Sequence, residues 1–127
     1  MKDLLTLMKD FRRAYAKADR DGLLAATTHD FTWHQHFATS EDDLPTGRVL
    51  NGVDELLDEI AWRGEHWQDV EYVDMVERAT EDLLVQTFTI RGIEDGKPFH
   101  ANVVDLYPVK NGRIERKDTY WKQFKQR

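Results

Sequence analysis

The second half of the sequence consists of four segments in which apolar and polar residues alternate, and no helical segment lies between them. The segments span residues 70–76, 83–90, 99–109 and 114–124. Asp95-Gly96 and Asn111-Gly112, dipeptides that favour two-residue hairpin turns, separate the last three segments. Alternation with a period of two is typical of strands that bury one face. Successive hairpins without helices between them predict an antiparallel sheet.

The first half of the chain predicts helices instead. Near the N-terminus an apolar residue recurs every three or four positions, which places these residues on one face of a helix. They are Leu4, Met8, Phe11, Tyr15 and Ala18. Asp21 is a candidate N-cap for a short second helix that ends near Thr28. Two or three helices followed by a sheet make an α+β fold.

A third helix is expected to begin at Asn51, with Asp54 completing an approximate capping box. Its apolar face comprises Val53, Leu56, Leu57, Ile60, Ala61 and Gly64. Between the second and third helices, residues 31–37 alternate as a strand does, and residues 38–51 form a long polar segment. Loops of that length are often lids or binding elements.

Composition limits the class of protein. With 127 residues and no cysteine, the chain is expected to form one domain, residues 1–127, without disulfides or thiolate metal sites. A formal net charge of −6 argues against nucleic-acid binding, which needs a basic surface. No apolar run approaches the ~20 residues that span a bilayer, and the N-terminus lacks the pattern of a signal peptide. We therefore expect no membrane contact and a cytoplasmic location.

Two motifs in the last strands carry a family resemblance. They are Asp-Leu-Tyr-Pro-Val-Lys-Asn-Gly-Arg-Ile at residues 105–114 and Lys-Asp-Thr-Tyr-Trp at residues 117–121. With the order of helices and strands before them, the chain resembles the SnoaL-like, ketosteroid-isomerase-like branch of the nuclear transport factor 2-like superfamily over nearly its whole length. The resemblance implies a cone-shaped, curved antiparallel sheet packed on two to three N-terminal helices, also described as a cystatin-like roll. It also implies a small-molecule pocket and homodimers formed through the outer face of the sheet.

The resemblance implies functional positions only in part. Tyr15 matches the oxyanion-binding tyrosine of the isomerase, and Asp105 matches its strand carboxylic acid. The position of the general base falls on Gln35, whose amide does not accept a proton usefully, so steroid isomerisation is not expected. The strand aspartate of the epoxide hydrolases falls on Thr119, and their Arg–Asp pair has no visible counterpart. Such a fold hosts isomerases, cyclases, dehydratases, epoxide hydrolases and binding proteins.

The residue that faces Asp105 depends on the turn at Asn111-Gly112. A two-residue type I′ turn places Asp118 opposite Asp105, whereas a three-residue loop with a bulged glycine places Lys117 there. We favour Lys117, because that register avoids two facing carboxylates. An Asp105–Lys117 pair then either moves a proton or anchors a polar ligand group, or it is a buried ion pair that only fixes the register.

His34 and His36 have the spacing of a two-histidine metal pair on a strand. No third ligand follows at a fixed spacing, and the family generally needs no metal, so neither a metal nor another cofactor is expected. If Gln35 points into the pocket, both histidines point away from it, toward the surface or a dimer interface. If a bulge turns one of them inward, it becomes a candidate general base, since imidazole suits proton transfer near neutral pH.

Two functions fit this sequence. The first is a cofactor-independent acid–base enzyme of the isomerase, cyclase or dehydratase type, acting on a small, largely apolar carbonyl or cyclic metabolite. Its candidate catalytic residues are Asp105, Tyr15, His34 and His36. The second is a non-catalytic ligand-binding or dimerisation domain with the same pocket. In both, the expected pocket-lining residues are Trp33, Gln35, Val103, Tyr107, Lys117, Thr119 and Trp121.

Overall fold

The computed structural model describes residues 3–36 and 47–123, which form three helices and six strands. In chain order these are α1 Leu4–Ala16, α2 Arg20–Ala26, β1 Thr27–Gln35, β2 Arg48–Asn51, α3 Gly52–His66, β3 Trp67–Ala79, β4 Leu83–Glu94, β5 Lys97–Lys110 and β6 Arg113–Gln123. None of the helices in these two ranges is long and apolar enough to cross a membrane.

The six strands form one curved, unclosed sheet in the order β2-β1-β6-β5-β4-β3. Strands β3 to β6 are the predicted antiparallel meander, and its turns lie at Asp95-Gly96 and Asn111-Gly112. The chain crosses through α3 to the far edge of the sheet, and the meander brings β6 back beside β1. These two strands run parallel, so the sheet is mixed. The α+β fold with N-terminal helices is confirmed.

The caps of the first two helices fix where they begin and end. The Asp3 carboxylate caps α1 by accepting from the backbone N–H of Thr6 at 3.0 Å. Asp19 caps α2, because its carboxylate accepts from the backbone N–H of Gly22, so the prediction of Asp21 as the cap was wrong. Ala18 has a φ of 51° and follows the end of α1, so it does not extend the apolar face of that helix.

The start of α3 also differs in detail from the prediction. The backbone N–H of Asn51 donates to the carboxylate of Glu55 at 2.9 Å, whereas Asp54 pairs with Arg20. Ala61 and Gly64 are exposed, and the helix instead turns the carboxylate of Glu59 toward the interior. Residues 48–51, predicted as loop, form the edge strand β2, and residues 37–46 lie outside the described residues.

The helices pack on one face of the sheet, and the described residues contain two apolar clusters. The larger contains Met8 and Phe11 from α1, Leu56 from α3, and Trp33 and Tyr107 from the sheet. The smaller is centred on three residues of β4 and β5, with four aromatic side chains packed against them. Its members are Ile90, Ala101 and Val103, with Trp67, Phe88, Phe99 and Trp121 around them. A cavity lined by members of both clusters separates them.

Candidate functional site

The cavity has a volume of about 420 Å³ and a largely aromatic wall. Six of the seven predicted lining residues border it, and the candidate catalytic residues Tyr15 and Asp105 do as well. The six are Trp33, Val103, Tyr107, Lys117, Thr119 and Trp121. Residues that the sequence did not single out also line it, among them Arg63, Trp67 and Gln86. Such a mixture of apolar wall and few polar groups is typical of small-molecule sites.

A hydrogen-bonded cluster from β5 and β6 forms the polar part of the wall. The Lys117 ammonium donates to Asp105 Oδ2 at 3.1 Å and to Tyr107 Oη at 2.8 Å. The Thr119 hydroxyl donates to Asp105 Oδ1, and Trp33 Nε1 donates to the same hydroxyl oxygen at 2.8 Å. Asp105 is 1% exposed and Lys117 is 6% exposed. Both charges are therefore buried, and each has its opposite charge within bonding distance.

Aromatic rings surround the Lys117 ammonium. Its Nζ lies 5.0 Å from the ring centroids of Trp33 and Tyr107, 5.2 Å from that of Tyr15 and 6.0 Å from that of Phe11. Burial lowers the pKa of Lys117, although the Asp105 carboxylate opposes that shift. A lowered pKa brings an amine closer to the range in which it exchanges protons at neutral pH.

The register of the β5–β6 hairpin differs from both predicted alternatives. Asn111 and Gly112 both have positive φ, as a type I′ turn requires, but Asp105 lies opposite Thr119 rather than Lys117 or Asp118. The register shifts by one residue between the turn and Asp105, in the interval from Leu106 to Val109, which contains Pro108. Proline has no N–H to donate to a sheet, so the ladder is interrupted there and a bulge fits. Lys117 still reaches Asp105 along the cavity face.

A second charged group, which the sequence analysis missed, borders the cavity. Arg63 of α3 donates from Nη1 to Tyr15 Oη at 3.1 Å and from Nε to Glu59 Oε2 at 3.0 Å. Its guanidinium carbon lies 5.0 Å from the ring centroid of Trp33 and 4.4 Å from that of Trp67. The sequence analysis singled out neither Arg63 nor its pairing with Glu59. The pairing of Glu59 with Arg63 could have been predicted from the sequence, since the two residues are four positions apart on one helix.

Burial acts on the two cavity tyrosines as well. It raises the pKa of Tyr15 and the pKa of Tyr107 above the ordinary tyrosine value, and the Arg63 guanidinium partly opposes the shift at Tyr15. The Tyr15 hydroxyl accepts from Arg63, which leaves its own proton free to be donated to a ligand oxygen. Tyr107 instead donates to Gln86 Oε1 at 3.1 Å.

The raised tyrosine pKa values predict a loss of stability in alkaline solution. The unfolded chain loses tyrosine protons above pH 10 while the buried hydroxyls keep theirs, so the free energy of unfolding falls as pH rises, by up to about 1.4 kcal/mol per pH unit for each tyrosine. The lowered pKa of Lys117 has the opposite effect, since it makes the free energy of unfolding rise with pH below pH 10.5. Urea unfolding above pH 10.5 measures the slope. Tyr107→Phe should flatten it, and the same slope in Tyr107→Phe and the wild type would contradict the prediction.

Three of the predicted site residues do not border the cavity. Gln35 is 1% exposed, and its amide has no hydrogen-bond partner among the described residues. His34 and His36 alternate with the buried Trp33 and Gln35, so they lie on the opposite face of the sheet. There the imidazole of His36 stacks on Tyr120 with ring centroids 4.2 Å apart. No bulge turns either histidine toward the cavity.

The sequence and the fold were compared with known proteins. The sequence profile of the SnoaL-like domain matches residues 8–117. No protein with a curated description matches the sequence. An NTF2-like protein from Burkholderia xenovorans LB400 is 18% identical, with a TM-score of 0.77 over 93% of this chain and 88% of that one.

Two further solved structures share the fold. A proposed polyketide cyclase from Xanthomonas campestris pv. campestris is 16% identical, with a TM-score of 0.68 over 93% of this chain and 89% of its own. A protein with a ketosteroid isomerase-like fold from Catenulispora acidiphila, solved in complex with trimethylamine, is 14% identical, with a TM-score of 0.68 over 91% of this chain and 85% of its own. At these identities the likeness extends to the fold alone.

Proposed function

The chain belongs to the family of SnoaL-like domains, and from this premise we propose that its cavity binds a small, largely apolar carbonyl or cyclic metabolite and moves a proton on it. The reaction is of the isomerase, cyclase or dehydratase type and uses no cofactor. The observation that carries the proposal is the buried Asp105–Lys117 pair in the wall of a largely apolar cavity. Perturbed charges in a cleft of this kind are concentrated at functional sites.

Tyr15 is the group best placed to bind a ligand oxygen. Its hydroxyl borders the cavity and accepts from Arg63, so the O–H bond is available for a ligand carbonyl. The Arg63 guanidinium then stabilises negative charge that develops on that oxygen through Tyr15. Donors placed in a water-poor site stabilise such charge strongly, because they need no reorganisation when the charge forms.

Proton transfer falls to the Asp105–Lys117 pair. Gln35 has no titratable group, and both histidines lie on the opposite face of the sheet from the cavity. We therefore assign proton transfer to none of the three. The Lys117 ammonium donates hydrogen bonds to Asp105 and Tyr107, and burial lowers its pKa, which reduces the cost of giving up a proton. Removal of a proton from a carbon next to a ligand carbonyl is the step that isomerisation and dehydration share. In an isomerisation the proton is returned to another carbon of the ligand, and in a dehydration it is transferred to the hydroxyl group whose C–O bond breaks, so that water leaves.

Hydrogen–deuterium exchange at carbon tests this proposal without knowledge of the natural substrate. A panel of cyclic and unsaturated ketones is incubated with the protein in deuterated water, and mass spectrometry measures exchange next to the carbonyl. We expect catalysed exchange on at least one ketone, with a loss of about 10²–10³-fold in Tyr15→Phe. Lys117→Met should abolish it. Tyr120→Phe, a matched change on the opposite face, should leave the rate unchanged.

A ligand-binding domain without catalysis is the second candidate. It is favoured by one observation, which is that Asp105, Lys117, Tyr107 and Thr119 satisfy one another without a ligand. Quenching of tryptophan fluorescence by a ketone, with no exchange above the uncatalysed rate, would support this candidate and contradict the enzyme. Absence of both quenching and exchange over the panel would contradict the proposed ligand class.

We also propose a homodimer formed through the outer face of the sheet. Val104 of β5, Tyr120 of β6 and Val49 of β2 are 37%, 44% and 39% exposed there, and such apolar groups usually mark a contact surface. Sedimentation at micromolar concentration should give a mass about twice the 15.0 kDa of one chain. Val104→Asp should shift the protein to the monomer, whereas Leu24→Asp on α2 should not. A wild-type protein that sediments only as a monomer would refute the dimer.

A further inference from the structure

Strands β1 and β6 bring together three metal-binding side chains on the face opposite the cavity. Their parallel register sets the Cα of His34 opposite that of Asp118, and His36 follows two residues along β1 on the same side. The sequence shows the two histidines but not their third neighbour, because Asp118 is more than 80 positions away and its alignment depends on the pairing of β1 with β6.

The three side chains converge closely. His36 Nε2 lies 3.1 Å from Asp118 Oδ1, and one ligand atom from each of the three residues lies within 4.8 Å of the others. Ligand atoms around one zinc ion are about 3–3.5 Å apart, so His36 and Asp118 already have this separation, and the site is completed by a rotation of the His34 side chain that brings its ligand atom up to about 1.5 Å closer. That rotation replaces the contact between His34 Nε2 and Thr32 Oγ1, which measures 3.1 Å.

Arg116 orients the carboxylate of this cluster. Its Nε donates to Asp118 Oδ2 at 2.8 Å, which leaves Oδ1 directed toward the histidines. Hydrogen bonds of this kind to a ligating carboxylate are a regular feature of metal sites, because they fix the direction of the ligand atom. Asp118 is 7% exposed and the histidines are partly buried, so the cluster is a recessed site rather than a set of mobile surface groups.

We propose that His34, His36 and Asp118 bind one divalent transition-metal ion of the zinc type per chain. Two imidazole nitrogens and one carboxylate oxygen are ligands that Zn²⁺ and Co²⁺ accept, whereas Mg²⁺ and Ca²⁺ prefer oxygen alone. Three protein ligands leave a fourth position for water. The site lies across the sheet from the cavity, and it is independent of the proton transfer proposed there.

Titration of the tag-free protein with Zn²⁺, followed by calorimetry, tests the site, and Co²⁺ supplies a visible absorption band that reports its coordination. We expect one ion per chain, with affinity lowered at least 10-fold in His34→Gln, in His36→Gln and in Asp118→Asn. Excess Mg²⁺ should not displace the Zn²⁺. Arg116→Gln, which frees the carboxylate without removing a ligand, should change the affinity less than any of the three.

His66 provides a matched control, because its Nδ1 lies 2.8 Å from Asp95 Oδ1, and no second histidine joins this pair in the part of the chain that the structure describes. His66→Gln should leave Zn²⁺ affinity unchanged. The proposal is overturned if the wild type binds no Zn²⁺ at micromolar concentration, if binding survives in both His34→Gln and His36→Gln, or if His66→Gln weakens binding equally. Since the two histidines are partly exposed, their variants should fold, and circular dichroism checks that they do.

Discussion

Replacing Lys117 with methionine is expected to lower the free energy of unfolding by about 3–5 kcal/mol, because it leaves the Asp105 carboxylate buried without its cation. Methionine keeps much of the length and apolar stem of lysine, so the loss reports the charge rather than a cavity. In this variant the Thr119 hydroxyl still donates to Asp105, but no positive charge faces the carboxylate within bonding distance among the described residues. Urea unfolding at pH 7 measures the change, and Lys122→Met, at an exposed position on the same strand, should stay within about 0.5 kcal/mol of the wild type.

The pH dependence of the stability of Lys117→Met distinguishes a buried carboxylate without a counter-ion from a packing defect. A protonated carboxyl group is much less costly to bury than a carboxylate, so the variant binds a proton at Asp105 on folding. Its stability relative to the wild type is therefore restored at acid pH and lost again as pH rises. A deficit that is equal at pH 4 and pH 8 would contradict the ionic explanation.

Removal of both charges should recover much of the loss. Asp105→Asn alone leaves Lys117 without a counter-ion, though Tyr107 still accepts from it, and we expect a smaller loss of about 1–3 kcal/mol. In the double variant no charge is buried without its partner, so the loss in free energy of unfolding should be well below the sum of the losses in the two single variants. Additive losses would mean that the two side chains do not interact.

The sequence predicted the residues that line the cavity more completely than it predicted the register of the β5–β6 hairpin. The favoured register, with Lys117 opposite Asp105, grouped Asp105, Lys117 and Thr119 correctly on one face, because the observed partner Thr119 is two residues from Lys117 and a shift of two residues keeps every side chain on its face. The pairing was missed because the turn was treated as its only determinant. Pro108 in a strand with neighbours on both sides was itself a signal for a bulge, since proline interrupts a central ladder.

Contacts between distant segments set the limit of the sequence analysis. The parallel pairing of β1 with β6 follows from where the whole meander ends, and no local pattern encodes it. Asp118 therefore could not be assigned to His34 and His36 from spacing. The same limit applies to Arg63, whose place between Trp33 and Trp67 depends on how α3 lies across the sheet. Its pairing with Glu59, by contrast, is local and was detectable.

Arg63→Met is expected to destabilise the protein through lost hydrogen bonds, though less than Lys117→Met does. It removes a donor from the buried Glu59 carboxylate and another from Tyr15, and it removes the guanidinium between two tryptophan rings. Glu59 keeps Arg48 at 3.0 Å, so the carboxylate is not wholly stranded. We therefore expect a loss of about 2–3 kcal/mol, below that of Lys117→Met, measured by urea unfolding at pH 7.

Arg63→Lys separates the charge of this residue from its shape. Lysine keeps the positive charge, but its ammonium cannot donate to Glu59 and Tyr15 while lying flat against two indole rings, as a planar guanidinium does. Stability in Arg63→Lys should therefore recover only in part, and ketone binding, measured by tryptophan quenching, should remain weakened. Arg91→Met at an exposed position serves as the control and should alter neither quantity. Full recovery of both stability and binding by lysine would mean that Arg63 contributes only its charge, and that Tyr15 needs no fixed donor to hold its hydroxyl in the cavity.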